Sequence, residues 1–196
     1  MTTPPPTLDP VELAGDGLLL RPWPTVLGTR DLADLRIGLS DPEQGRWNPR
    51  ALPATAPDET LLAWVARLRA GWAEGTMASW AARDPLDGRL LGHLAIREVS
   101  VEFGTGRVGY WTMPAERGCG VARRALLSAT DWAFEQLGLH RVDLAHAVGH
   151  GASCRIAERG GYRWEGTLRE AMPDSSGRRH DMHLHARLAT DPRPPD

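Results

Sequence analysis

The chain is short of the features that define several protein classes. It has two cysteines in 196 residues. Cys119 and Cys154 stand far apart and in unlike contexts, which excludes a disulfide framework and points to a reducing cytosol, so a cytoplasmic location is expected. No run of about 18 apolar residues occurs, so no membrane-spanning helix is expected. The start, Met1 to Pro10, is rich in Pro and Thr and lacks the charged-then-apolar layout of a secretory signal. The formal net charge is only −2. Such a chain has no global field to attract nucleic acid or anionic lipid, and any anion site must be local. No linker, repeat or low-complexity block divides the chain.

What is present suits one domain of ordinary size. Hydrophobic residues make up 41% and charged residues 24%, enough to bury a core without metals or disulfides. Residues 1–16 and 190–196 are Pro-rich or polar and read as loose ends around a domain at 17–189. Trp is frequent at eight, which suits core and cleft-wall positions.

Periodicity orders the elements. Gly17 to Arg21 reads as a buried strand stopped by Pro22. Thr29 to Leu39 is helical, with Leu32, Leu35 and Leu39 on one face, and Asp41-Pro42 ends it. Residues 42–57, with four prolines, read as a loop. Asp58 to Glu74 is a helix with Leu61, Leu62, Val65, Leu68 and Trp72 at helical spacing, stopped by Gly75. Met77 to Asp84 and Leu90 to Val99 are strands around a turn, and Arg107 to Met113 is a strand closed by Pro114. Gly120 to Leu137 is a long helix and Arg141 to Ala147 a strand. Ser153 to Arg159 is a short helix, and Tyr162 to Met172 with His180 to Leu188 is a last strand pair. The order, β-α-α-β-β-β-α-β-α-β-β, predicts an α+β fold with a mixed sheet and helices packed on it.

The strongest functional signal is Arg117-Gly118-Cys119-Gly120-Val121-Ala122, between a strand and an apolar-faced helix. Gly118 and Gly120 let the backbone bend tightly and approach a ligand closely. The helix start adds free N–H groups and the positive end of its dipole, a cradle for a phosphate or diphosphate. Arg117, Arg123 and Arg124 add local positive charge. A P-loop reading fails because the Lys and hydroxyl are missing. A dinucleotide fingerprint fails because Arg123 stands where its third Gly belongs. The plain alternative is a Gly-rich turn that only starts a helix.

This turn resembles the acyl-CoA signature of the GCN5-related N-acetyltransferases (GNAT), Arg/Gln-x-x-Gly-x-Gly/Ala, at Arg117, Gly120 and Ala122. Its surroundings are similar to the RimJ/RimL-type branch, the ribosomal-protein N-acetyltransferases. The similar text includes Val108-Gly109-Tyr110-Trp111, Leu139-His140-Arg141-Val142, Arg155-Ile156-Ala157-Glu158 and Glu165-Gly166-Thr167-Leu168-Arg169. Leu20-Arg21-Pro22-Trp23 and Arg46-Trp47-Asn48-Pro49 are similar as well, so the resemblance spans roughly 18–190. It implies a three-layer fold with about seven strands, mostly antiparallel and splayed, and about four helices. Acetyl-CoA or another acyl-CoA such as succinyl-CoA is the implied co-substrate, and the acceptor an amine of a protein N-terminus or small molecule. Relatives often dimerise, so a homodimer is among the expectations.

Carried onto this chain, the resemblance places CoA in the gap between strands Arg107–Met113 and Arg141–Ala147. Backbone of Trp111, Thr112 and Met113 would hold the pantetheine. Amides from Gly118 through Cys119, Gly120, Val121 and Ala122 to Arg123 would hold the diphosphate. A main-chain N–H near Met113 would face the oxyanion. Ser153 is the candidate acid or donor to the CoA sulfur; its plain reading is a helix cap. His150 stands where the family has Asn and is placed with the cofactor contacts. Trp47, Asn48 and Glu102 are placed on the acceptor side, and Glu102, Glu165 and Glu170 are the candidate bases. His183 and His185 share a strand face near His180, yet no Cys or third clustered ligand supports them, so no metal is expected. A non-catalytic acyl-CoA sensor on the same fold is the alternative class, and nucleotide binding without acyl chemistry a third.

Overall fold

The structure, a computed structural model, describes residues 7–195. An eight-stranded sheet runs through it. Its strands are β1 (Leu13–Gly15), β2 (Leu18–Pro22), β3 (Met77–Arg83), β4 (Leu90–Ser100), β5 (Thr105–Thr112), β6 (Arg141–Ala147), β7 (Arg163–Pro173) and β8 (Arg179–Leu188), in the spatial order β1-β2-β3-β4-β5-β6-β8-β7. Every neighbouring pair is antiparallel except β5 with β6. Parallel neighbours need a crossover, and helix α4 (Val121–Glu135) supplies it.

The mixed, mostly antiparallel sheet is the one expected, with one strand more than seven. The extra strand, β1, falls inside the segment read as loose. Three residues are too short a stretch to show alternation. Cross-strand pairing of Leu13 with Leu20 and Gly15 with Leu18 holds it, around a turn whose Asp16 and Gly17 both take positive φ. Trp80 Nε1 donates to the Val11 carbonyl at 2.7 Å, and Leu8 is buried just before it. Residues 1–6 and 196 of the expected loose ends lie outside the described residues.

Four further helices join α4: α1 (Thr29–Leu39), α2 (Pro42–Gly45), α3 (Asp58–Ala73) and α5 (Gly151–Arg159). The count is five rather than four because α2 forms within the stretch read as loop. Asp41 Oδ2 accepts the Gln44 N–H at 2.9 Å and Pro42 occupies the first turn, an N-terminal cap that the density of prolines had hidden. Among the described residues no helix is long and apolar enough to cross a membrane.

Two apolar cores lie against the sheet. Leu20, Trp80, Leu94, Ile96, Val108, Leu126, Leu144 and Tyr162 belong to the core under α4. Trp23, Leu35, Leu61, Val65, Leu68 and Met113 form the other, under α1 and α3. Each large aliphatic side chain so buried stabilises by about 1.5–3 kcal/mol. Trp72, Trp80 and Trp132 meet edge to face with centroids 5.1–5.8 Å apart, so Trp72 is a core residue.

The sheet opens at one place. β5 and β6 pair from Thr105 with Arg141 to Val108 with Leu144 and no further. Beyond that point Gly109–Thr112 and Ala145–Ala147 run on unpaired with each other, forming a fork.

Candidate active site

The fork leaves one edge of β5 without a partner. The Met113 N–H donates to the Leu91 carbonyl at 2.9 Å, which sets the phase of the β4–β5 ladder. By alternation, Gly109 and Trp111 also turn their main-chain groups to β4, while Tyr110 and Thr112 turn theirs into the fork. Met113 was expected among the cofactor contacts. It is buried, its N–H is committed to Leu91 and its carbonyl accepts the Glu116 N–H at 2.9 Å. Its main chain therefore has no donor to offer, and the nearest such donor is Thr112.

A cleft of about 690 Å³ fills the fork, lined among others by Trp111, Thr112, Arg117, Gly118, Gly120, Val121, Ala122 and Arg123. Gly118 and Gly120 have φ of +79° and +76°, and a Cβ at either would meet nothing within 4 Å. The glycines answer a backbone demand and leave the space above the turn open. The first bond of α4 runs from the Arg124 N–H to the Gly120 carbonyl at 3.0 Å. The amides of residues 121–123 precede it and have no acceptor within the helix. Free donors at a helix start, facing a cleft, fit a diphosphate.

The side chains of the turn divide. Cys119 is exposed and its Sγ lies 3.8 Å from the Arg117 carbonyl. Arg117 forms an ion pair with Asp41, so the motif arginine anchors the turn to the start of α2. Arg123 donates to the carbonyls of Arg159, at 3.2 Å, and Pro195. Arg124 donates to the Asp16 carbonyl at 2.6 Å and so braces the β1–β2 turn rather than the cleft.

Side chains on β5 alternate between the two cores. Val108 and Tyr110 face the α4–α5 side and Trp111 the α1–α3 side. Tyr110 thereby meets Ser153 on α5, with Oη and Oγ 2.7 Å apart, and both residues line the cleft. Burial pushes the Tyr110 phenol up to about 12. Ser153 itself is buried and is not the helix cap. That place belongs to His150, whose Nδ1 accepts the Ser153 N–H at 3.4 Å. Tyr110 is a functional candidate that sequence reasoning passed over. Its alternation with Val108 was legible, but not its distance to Ser153.

Trp47 and Asn48, expected on the acceptor side, line the cleft, and so does His150, expected among the cofactor contacts. The Trp47 indole stacks on the His150 ring with centroids 5.0 Å apart and 25° between planes, and Trp47 Nε1 donates to Glu43. Burial first, then Arg117 and Arg46, hold the His150 imidazolium below its usual range against Glu43, so the ring is neutral near pH 7. Glu102 does not reach this site. It lies in the exposed β4–β5 turn, at the end of β5 opposite the fork, and is absent from the cleft lining. Glu165 is held by both nitrogens of Arg141, at 2.9 and 2.5 Å, which lowers its pKa. Glu170 sits exposed on a β7 bulge.

Two placements were not legible. Arg50, Arg67, Arg97 and Arg107 gather on the cleft wall, with the Arg97 guanidinium lying over Gly109, where a Cβ would come within 2.9 Å of it. Glu98, at a left-handed φ of 53°, pairs with Arg107 at 3.3 Å. Of the three histidines read on the last strand, His180 turns away to Asp174 at 2.9 Å. His183 and His185 instead converge with His146 of β6 and Cys154 of α5, two potential ligand groups that sequence spacing did not show.

A family model described as an acetyltransferase (GNAT) domain matches residues 18–163, most of the sheet and the five helices named above. The chain belongs to the GNAT acetyltransferase family. This GNAT domain is 30% identical over 102 residues to the putative ribosomal N-acetyltransferase YdaF of Bacillus subtilis, covering 52% of this chain and 55% of that protein. It is 29% identical over 85 residues to the probable N-acetyltransferase YjcK of the same organism, covering 43% and 47%. The chain thus spans about half the length of the curated relatives it matches. Mycobacterium smegmatis RimJ, solved in complex with CoA-disulfide, superposes with a TM-score of 0.77 at 27% identity, over 94% of this chain and 88% of that one. A ribosomal-protein-S5-alanine acetyltransferase from Vibrio fischeri superposes with a TM-score of 0.79 at 19% identity, over 94% and 100%, a likeness of fold. These relatives agree with the RimJ/RimL-type branch read from the sequence.

Proposed function

We propose that the chain is an acyl-CoA-dependent N-acyltransferase acting on a primary amine by direct attack in a ternary complex. One observation carries the reading: the pairing of β5 and β6 stops at Val108 and Leu144, and the amides after Gly120 open onto the same cleft. A CoA thioester laid there would set its diphosphate on those amides and its pantetheine along the free edge of β5, as an added strand.

The chemistry then follows from the residues around the fork. The neutral amine attacks the thioester carbon, the N–C bond forms, and the C–S bond breaks. The Thr112 N–H faces the developing oxyanion. Tyr110, which keeps its proton at neutral pH, and Ser153 form a hydroxyl pair that donates to the departing sulfur. His150 lines the same cleft as a neutral imidazole, and its Nδ1 gives up the long 3.4 Å contact from the Ser153 N–H to take the proton the amine loses. Atoms balance as amide plus CoA thiol.

The wall of Arg50, Arg67, Arg97 and Arg107 bears on the partner. A positive wall of this kind favours an acceptor, or an acyl group, that carries carboxylates. We therefore infer an amine at a protein N-terminus with acidic residues following, or succinyl in place of acetyl. Thiol release measured with acetyl-CoA and succinyl-CoA over a peptide panel of graded charge tests this. Acidic peptides should exceed basic ones in kcat/KM by about tenfold or more. Tight CoA binding without thiol release for any amine would leave a sensor, not an enzyme.

A further inference from the structure

Four potential ligands meet behind the fork. His146 on β6, Cys154 on α5, and His183 and His185 on β8 each bring one ligand atom, and all four atoms lie within 4.8 Å of one another. His146 and His185 are buried. Cross-strand pairing sets His146 opposite His183, with His185 two residues along the same face.

The hydrogen bonds of the two buried rings decide what faces inward. His146 Nδ1 lies 3.0 Å from the Ala147 carbonyl, and His185 Nδ1 lies 3.3 Å from the Tyr162 carbonyl. A carbonyl only accepts, so each Nδ1 carries the proton. In neutral rings each Nε2 is then left with a bare lone pair. Those two Nε2 atoms stand 3.2 Å apart. Two lone pairs so close repel unless something positive lies between them. A shared proton would answer only those two nitrogens, whereas the ligand atoms of His183 and Cys154 also lie within 4.8 Å of them. His183 adds a second signal, since its Nδ1 is buried with no hydrogen-bond partner.

The geometry points to a binding site for one divalent transition-metal ion of the zinc class, held by His146, Cys154, His183 and His185. Nitrogen ligands at about 2.0–2.1 Å in a tetrahedron lie about 3.4 Å apart, close to the separation observed. The Nδ1–carbonyl bonds are the supports that metal-binding histidines usually have. Three imidazoles and a thiolate are a donor set that suits zinc over magnesium or calcium. Cys154 now leans on Glu158 at 3.5 Å, a weak contact that a metal would replace as the thiol releases its proton to water. The ion would tie α5 to β6 and β8 and so hold Ser153, one residue before Cys154, against Tyr110.

Cobalt(II) titration of the chelator-treated full chain tests this. One equivalent should give the visible bands of four-coordinate cobalt and a thiolate-to-cobalt charge-transfer band, both removed by zinc. Cys154→Ser should lose the charge-transfer band, while Cys119→Ser should keep it. His183→Gln, at a half-exposed position, should weaken binding by tenfold or more. The ion should also raise the Tm of the wild type by several degrees. Absence of the bands in folded wild type would overturn the site. Visible bands without charge transfer, or charge transfer lost only in Cys119→Ser, would overturn the assignment of Cys154.

Discussion

The Tyr110 hydroxyl and Ser153 Oγ stand 2.7 Å apart across the fork, one carried by β5 and the other by the first turn of α5. If the pair serves the departing sulfur, each hydroxyl matters mainly in the transition state. Tyr110→Phe and Ser153→Ala should each lower kcat by roughly a hundredfold with little change in the KM for acyl-CoA. The double variant should be no worse than about the weaker single one, because the two act as a unit. Steady-state kinetics on the three proteins check this.

His150 both caps α5 and presents a neutral ring to the cleft. His150→Asn keeps a capping acceptor and removes the titration. The wild type should lose activity on the acid side as His150 protonates, below its ordinary pKa of about 6.5. The variant should lose that limb of its pH–rate profile along with most of its kcat, while its Tm stays within about 2 °C. An unchanged acid limb would show that the base lies elsewhere.

Gly38 of α1 packs against the Trp111 ring so closely that an added Cβ would meet ring carbons at 2.4 and 2.5 Å. A rigid indole cannot slide as an alkyl tip can. Gly38→Ala should cost about 1–3 kcal/mol and displace Trp111 on the cleft wall. Chemical denaturation measures the first effect, and a shift in tryptophan emission reports the second.

His93 is buried and accepts a hydrogen bond from Trp23 Nε1 at 3.1 Å. Burial lowers its pKa to about 3. Below about pH 6.5 the unfolded chain takes a proton there that the folded chain refuses, so stability falls as pH drops from about 6.5 toward 3, by at most about 1.4 kcal/mol per unit. His93→Asn keeps an acceptor for Trp23 without titrating. Urea midpoints from about pH 7 to about pH 5 should fall less steeply in the variant than in the wild type.

What the sequence disclosed, and what it hid, sorts by distance along the chain. The turn before α4 is local: glycines, a helix start and an arginine within six residues, so its geometry was readable in place. The forked strands were readable only through the family text around Val108 and Arg141. Glu102 looked apt as a carboxylate near a key strand, but its hairpin turn carries it to the wrong end of β5. The Tyr110–Ser153 contact and the convergence of His146, Cys154, His183 and His185 join elements far apart in the chain. Strand parity said which face each occupies, but not which residues of other elements wait there. The α2 cap was local and legible, and only the prolines around it argued the other way.

Calorimetric titration of acetyl-CoA onto the wild type and onto Gly120→Val is the most direct test. The side chain of valine would force residue 120 out of its left-handed conformation, at a cost of about 1–2 kcal/mol, and spoil the aim of the amides after it. The wild type should bind one acetyl-CoA per chain with saturable heat, and the folded variant should bind at least about tenfold more weakly. A wild type that gives no heat with any CoA thioester, or a variant that binds as well as its parent, would contradict the account.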